Sequence, residues 1–334
     1  MFLSAYIRRL FTICVKQSFI FFLFLSITAT FSQNFEKTDA IAMGYLSHQI
    51  DNVKTLANII EQDFETDLDK TRALYIYLTH AIKYNLNEYK YGADNYSFRY
   101  SSKEELETKI RQRDLEIINK TLRQKTAICE GYSMTFNEVC NLLNIKSTVI
   151  SGYTRTPYAE IGELPLKGKH AWNAVFINSK WNFIDTTWGA GYSTNQNQWL
   201  QSYDDYYFFP KASELIFTHY PENTQWQLLN PVYSKKQFSN QPISSPLFFK
   251  QHIKLISPVS GIISSKQEFL MIQLKNVQPD VEFGYAFEKD YYLTTIIPEF
   301  KGDICFLKIP LKSKKNTTVN LLIDAEMILQ YKIN

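Results

Sequence analysis

Apolar residues recur at helical spacing through the first half of the chain and give way to strand-like alternation in the second. Residues 39–62 read as one helix. Residues 66–84 read as another: Thr66 or Asp67 can cap it, acidic residues sit in its first turn, and Leu74, Leu78, Ala81 and Ile82 form an apolar stripe. Residues 89–102, rich in Tyr, Ser and Asn, read as a loop. Residues 103–125 are heavily charged around Ile110, Ile117, Ile118 and Leu122. Glu105 and Lys109, like Glu107 and Arg111, stand four apart, which predicts a solvated helix. An amphipathic helix follows over 129–143, with Tyr132, Phe136, Val139 and Leu143 on one face. Then come a strand over 147–153 and a polar loop over 154–169.

The sharpest local pattern is HAWNAVFI-NS-KWNFIDTTW, which predicts a β-hairpin. Asn178-Ser179 is the turn pair, since Asn tolerates positive φ. With Ile177 facing Lys180, Asp185 falls opposite Trp172 and on the sheet face that carries His170. The two become diagonal neighbours, roughly 7–8 Å apart at the backbone, within reach of an imidazole–carboxylate hydrogen bond. A register slip of one residue would put them on opposite faces. From about residue 243 the segments IKLISP, FLMIQL, VEFGYAF, ICFLKIP and VNLLID are short, β-rich and separated by turn residues, which predicts a β-sandwich.

The chain opens with Arg8, Arg9 and Lys16, a short apolar run over 18–30, and small residues at Thr30 and Ser32. That order describes a secretory signal over 1–32, and the run is shorter than the roughly 20 residues a membrane span requires. The segment holds three of the 36 basic residues and none of the 33 acidic ones, so the remainder carries 33 of each. A balanced mature chain gives no electrostatic case for nucleic acid or anionic membranes. The 24 Phe and 22 Tyr supply ample core material. Outside the leader, Cys129, Cys140 and Cys305 are an odd number, so at least one thiol is free. No CxxC or HxxxH pair is present, and Asp204-Asp205 falls short of the six to eight oxygens calcium takes, so no metal or cofactor is expected.

Cys129 begins a helix, where the positive end of the dipole favours a thiolate. With His170 as base and Asp185 holding the imidazole, the three fit the nucleophile–base–orienter arrangement of acyl transfer. Each residue alone has a plainer reading: a helix Cys is commonly a small buried hydrophobe, as Cys140 is expected to be. His170 alone would be a satisfied sheet histidine, and Asp185 alone a turn cap. Order, spacing and the shared hairpin face carry the case together.

Three blocks, DKTRALYIYLTHAIKYN, TLRQKTAICEGYSMTFNEVC and GKHAWNAVFINSKWNFIDTTWGAG, resemble the transglutaminase-like superfamily of papain-type thiol enzymes. The aromatic extension YYFFPKASELIFTHYPENTQWQLLNP points to its kyphoscoliosis peptidase branch. The resemblance covers roughly 66–238. It implies an α+β core, a Cys129-bearing helix against an antiparallel sheet bearing His170 and Asp185, in a cysteine peptidase or a protein-glutamine transamidase acting on protein or peptide amides. Ala127-Ile128 stand where such proteins often carry Gly. The Cys129 amide is one sensible oxyanion donor and Tyr84 a second candidate, while Trp172 and Trp188 read either as cleft walls or as sheet packing. His219 and Trp226 read as packing. The resulting organisation is a leader over 1–32, a catalytic domain over 33–242 and an Ig-like β-sandwich over 243–334 that could contact a cell-surface or envelope partner. A non-catalytic binding module is the alternative of a different class.

Overall fold

A computed structural model describes residues 34–92, 97–155, 161–164, 166–194, 196–312 and 314–334. The leader expected over 1–32 lies outside them. Residues 38–334 form one compact unit. The helix expected over 39–62 is in fact two, Glu36–Gly44 and Val53–Asp63, with a single 3₁₀ turn between. Asn52 causes the restart: its side chain accepts the Thr55 amide and begins a new helix. Thr66 caps the next helix, Asp67–Ala81, by accepting the Asp69 amide. That helix ends before strand β1 (Lys83–Tyr84), which pairs in parallel with β2 (Thr126–Ala127). Within the expected loop, residues Leu86–Tyr91 make a short helix. Ser102 caps Lys103–Gln124, where Lys109 pairs with Glu105 at 2.7 Å as spaced. Arg111 instead reaches Glu138 with two hydrogen bonds of 2.5 and 2.9 Å, because the neighbouring helix offers a buried carboxylate.

The helix Cys129–Leu142 is central. Tyr132, Phe136, Val139 and Cys140 on it are fully buried, and each large apolar side chain among them contributes roughly 1.5–3 kcal/mol. It packs on the Val53–Asp63, Asp67–Ala81 and Lys103–Gln124 helices and on an antiparallel sheet. A Cβ on Gly131 would sit 2.5 Å from Thr121 Oγ1, so glycine lets the long charged helix lie against the first turn of the Cys129–Leu142 helix. The sheet contains β3 (Ser147–Thr154), β4 (Lys169–Ile177) and β5 (Lys180–Ile184). After the short β6 (Gly191–Ser193) and β7 (Trp199–Gln201), β8 (His219–Pro221) completes the order β5-β4-β3-β8.

The strand-rich segment folds as a β-sandwich. Its strands are β9 (Ile243–Ser244), β10 (Lys254–Ser257), β11 (Ile262–Ile263), β12 (Phe269–Lys275), β13 (Phe283–Phe287), β14 (Thr294–Ile296), β15 (Glu299–Lys301), β16 (Ile304–Pro310), β17 (Thr317–Ile323) and β18 (Glu326–Ile333). One sheet runs β10-β12-β16-β15 and the other β11-β18-β17-β13-β14, with β9 also on β18. Leu270, Ile272 and Leu274, with Leu307 and Ile309 beside them on the same sheet, share one core with Leu321 and Tyr331 of the other. Strands β9, β11, β14, β15 and β18 lie outside the segments read as strands from the sequence, and β18 is the longest of them. It follows a turn in which Asp324 and Ala325 both have positive φ.

Tyr206 and Phe217 from the preceding segment pack against the sandwich core. Arg155 ties the junction. Its guanidinium, 4% exposed in the residue as a whole, donates to the carbonyls of Phe217, Ser239, Gln241 and Pro242 and lies 4.8 Å from the Phe238 ring centre. Arg155→Ala strands these carbonyls, so we expect it to cost about 3 kcal/mol or more. Urea unfolding measures the loss, and a change below about 0.5 kcal/mol would contradict the assignment.

Candidate active site

The hairpin has the register expected from its turn. Ile177 faces Lys180 and Asn173 faces Ile184, and Asn178 and Ser179 both have positive φ. That register brings His170 Nε2 to 2.6 Å from Asp185 Oδ2. Asp185 lies one residue beyond β5 and caps the short helix Thr186–Ala190: its Oδ1 accepts the amides of Thr187 and Trp188, each at 2.9 Å. The carboxylate is thereby held from its own chain before any imidazole is counted.

Cys129 is half-buried at the start of its helix, and no side chain caps that first turn. His170 uses Nε2 for Asp185 and interacts with Cys129 as well. Cys140 and Cys305 are buried, and burial pushes their thiols up to about 12 and about 11. Ala127 does not disturb the approach to Cys129, because its backbone is committed to β2 and its carbonyl accepts the Asn85 amide at 2.9 Å.

The sequence undervalued one residue. His219, 1% exposed, lies in β8 and reaches Asp185 Oδ2 with Nε2 at 3.0 Å. Nothing near it in the chain signals this, because the contact depends on the pairing of β8 with β3. The aromatic extension as a whole was the only pointer. Trp226, by contrast, packs edge-on against Trp181 as expected.

The electrostatics separate the two rings. For His170, burial works against the cation, but the charge and hydrogen bond of Asp185, with Cys129 adding to them, push it up to about 10. Burial would also raise the Asp185 carboxyl, yet His170 and then His219 hold it well below the usual carboxylate range. His219 goes the other way: burial lowers it, and the proximity of His170 outweighs part of the help from Asp185. One carboxylate charge sustains one cation. His170, Asp185 and His219 offer donor atoms within 4.8 Å of one another, a spacing that could also suit a metal ion. The 2.6 and 3.0 Å separations and the two amides are those of a hydrogen-bonded array, which uses the carboxylate's acceptor positions without an ion.

His170 opens on a cleft of about 1390 Å³ that Tyr84, Tyr89, Trp188, Tyr192 and Trp199 also line. Tyr84 stacks on Trp199 with ring centres 5.4 Å apart. Burial, then the nearby Cys129, raise the Tyr84 phenol, which stays a protonated donor. Trp188 lies 5.9 Å from the His170 ring and 4.6 Å from that of His219. Trp172 is different. It is 1% exposed and packs with Ile150, Ala174, Phe183 and Leu215, because β4 points it into the core under His170. The cleft reading of Trp172 is therefore corrected to packing. The acidic pair Asp204-Asp205 is spent on ion pairs, with Lys250 at 2.7 Å and with Arg72.

Residues 54–186 match the model of the transglutaminase-like superfamily. The chain is similar to the human protein "Kyphoscoliosis peptidase", 27% identical over 249 residues, which is 73% of this chain and 33% of that protein. The mouse protein of the same name is 26% identical over 72% of this chain and 32% of its own length. The Caenorhabditis elegans "Lim and transglutaminase domain protein ltd-1" is 26% identical over 68% and 30%. The chain thus spans about a third of the length of these relatives.

The His170–Asp185 pair has a pH signature. The raised His170 value means that its contribution to stability is fully present below pH about 6.5, the ordinary histidine value, and is lost as pH rises through about 10. The depressed Asp185 contributes above the ordinary carboxylate value of about 4 and fades as pH falls below it. Stability of the wild type should therefore decline across pH 6.5–10, by at most about 1.4 kcal/mol per pH unit for this one proton. His170→Gln should lack that component. Urea midpoints in both proteins measure it, and parallel profiles would contradict the pairing.

Proposed function

We propose, from a chain whose residues 54–186 are a transglutaminase-like superfamily core, that the protein is a cysteine-dependent acyl-transfer enzyme, a peptidase that opens protein or peptide amide bonds through a thioester on Cys129. The observation that carries the reading is the buried pair of Asp185 Oδ2 and His170 Nε2, 2.6 Å apart, with Cys129 near enough to add to the raised His170. In it the imidazolium of His170 faces the sulfur, and the thiolate attacks the carbonyl carbon of the amide. The C–N bond breaks as His170 delivers its proton to the leaving nitrogen, giving a thioester and a free amine. Neutral His170 then takes a proton from water, whose oxygen attacks the thioester and restores the thiol and a carboxylic acid.

The oxyanion formed on attack needs donors close to the sulfur. The amide of Cys129 at the open helix start and the protonated hydroxyl of Tyr84 are the two that fit. The cleft suits an extended peptide: aromatic walls take side chains, and Gln196, Asn197 and Gln198 offer amides to a backbone. Hydrolysis is favoured over transamidation because two of the similar proteins are named peptidases. Export from the cytoplasm belongs to this reading and is supported by the basic start and short apolar run of residues 1–32. Among the described residues no helix is long and apolar enough to cross a membrane.

The test is mass spectrometry of a glutamine- and lysine-containing protein incubated with this chain and a primary amine, beside Cys129→Ala. New peptide termini absent with Cys129→Ala are expected. Amine adducts on glutamine would make the enzyme a transamidase with the same nucleophile. Identical outcomes with wild type and Cys129→Ala would remove the acyl-transfer reading and leave a binding module.

A further inference from the structure

Asp185 receives two imidazoles on one oxygen. Oδ2 lies 2.6 Å from His170 Nε2 and 3.0 Å from His219 Nε2, while Oδ1 is taken by two backbone amides. A carboxylate only accepts, so His219 must present Nε2–H. Its Nδ1 is then the lone-pair nitrogen, and it lies 2.8 Å from Thr218 Oγ1, closer than the 3.2 Å between that hydroxyl and the Leu215 carbonyl. Thr218 therefore fixes the tautomer by donating to Nδ1. Trp188 and Trp172 close over the ring edge-on, with ring centres at 4.6 and 5.1 Å, and His219 is 1% exposed.

The sheet is built to allow this approach. Gly152 faces His170 on one side, in the β3–β4 pairing, and Pro221 on the other, in the β3–β8 pairing. A Cβ there would fall 2.5 Å from the Trp172 ring, 2.9 Å from Pro221 Cα, and against the Tyr220 carbonyl. Glycine thus lets β8 come in close enough for His219 to reach a carboxylate that belongs to the hairpin.

We propose that His219 is a positioning residue for the reaction: a neutral imidazole whose Nε2–H pins Asp185 Oδ2, so that the carboxylate stays aimed at His170. The inference rests on the reading of Cys129, His170 and Asp185 given above. His219 is hydrogen-bonded to Asp185 and Thr218. It acts through Asp185, as the outer partner of a metal-bound or catalytic histidine does elsewhere. Thr187 and Trp188 hold the Oδ1 edge. Without His219 the Oδ2 edge would depend on His170 alone, the ring that must be free to shuttle protons.

The test compares His219→Leu, which keeps apolar volume but has no donor, with His219→Gln, whose amide nitrogen can take the place of Nε2–H. Rates of Cys129 alkylation by iodoacetamide at pH 6.5 are read by peptide mass spectrometry, with buried Cys140 and Cys305 as controls in each sample. His219→Leu is expected to slow Cys129 by about tenfold or more and to lower kcat on a cleaved peptide with KM little changed, as loss of a group acting only in the reaction requires. His219→Gln is expected to recover most of that loss. Leu within threefold of wild type, or Gln falling as far as Leu, would overturn the proposal. A wild-type Cys129 no faster than Cys140 would instead remove the reading on which the proposal rests. The hydrogen bond is checked apart from reactivity, in ¹⁵N-histidine-labelled Cys129→Ser protein. His219 should appear as a neutral Nε2–H tautomer with a slowly exchanging proton, and the opposite tautomer or a cation would overturn the proposal whatever Cys129 does.

Discussion

A carboxylate removed from water costs several kcal/mol unless its acceptor positions are filled. Asp185, 1% exposed, sets that condition at the centre of this fold. Its partners arrive from three places: its own helix start at Thr187 and Trp188, the facing hairpin strand at His170, and the distant β8 at His219. Shifting the hairpin by one residue, opening β8 from β3, or unwinding Thr186–Ala190 would each strip one of these partners from a buried charge. Stability and site geometry are therefore held by the same interactions.

This arrangement explains why two neighbouring histidines behave oppositely. Both are buried, and both contact the same oxygen. His170 has the shorter bond and also faces Cys129, so it keeps the proton, while His219 is left neutral. In the proposed reaction that difference assigns proton transfer to His170 and geometry to His219. The helix of Cys129 brings the sulfur to this pair, and its buried face of Tyr132, Phe136 and Val139 fixes how it lies on the sheet.

Much of this was legible in the chain, for identifiable reasons. The turn at Asn178-Ser179 has only one comfortable register, so counting back from it placed His170 near Asp185. Thr66 signalled a helix start through short-range chemistry, and alternation located β10, β12, β13, β16 and β17 of the sandwich. What escaped needed information from far away. The break before Val53 hinges on one asparagine cap inside an otherwise periodic run. Strands β1 and β2 are two residues each and exist only because they meet. Trp172 and Trp188 look equivalent in sequence, but strand direction buries the first and helix onset exposes the second to the cleft. His219 required knowing that β8 joins the edge of β3.

The most direct measurement is the intact mass of the protein after rapid acid quenching from a mixture with a reactive thioester- or ester-activated peptide. The account predicts a covalent acyl adduct that maps to Cys129, forms more slowly when His170 is replaced by Gln, and is absent from Cys129→Ala. No adduct under any quench time, or an adduct mapped to another residue, would contradict the central claim that Cys129, aligned through His170 by Asp185, is the group that takes the acyl chain.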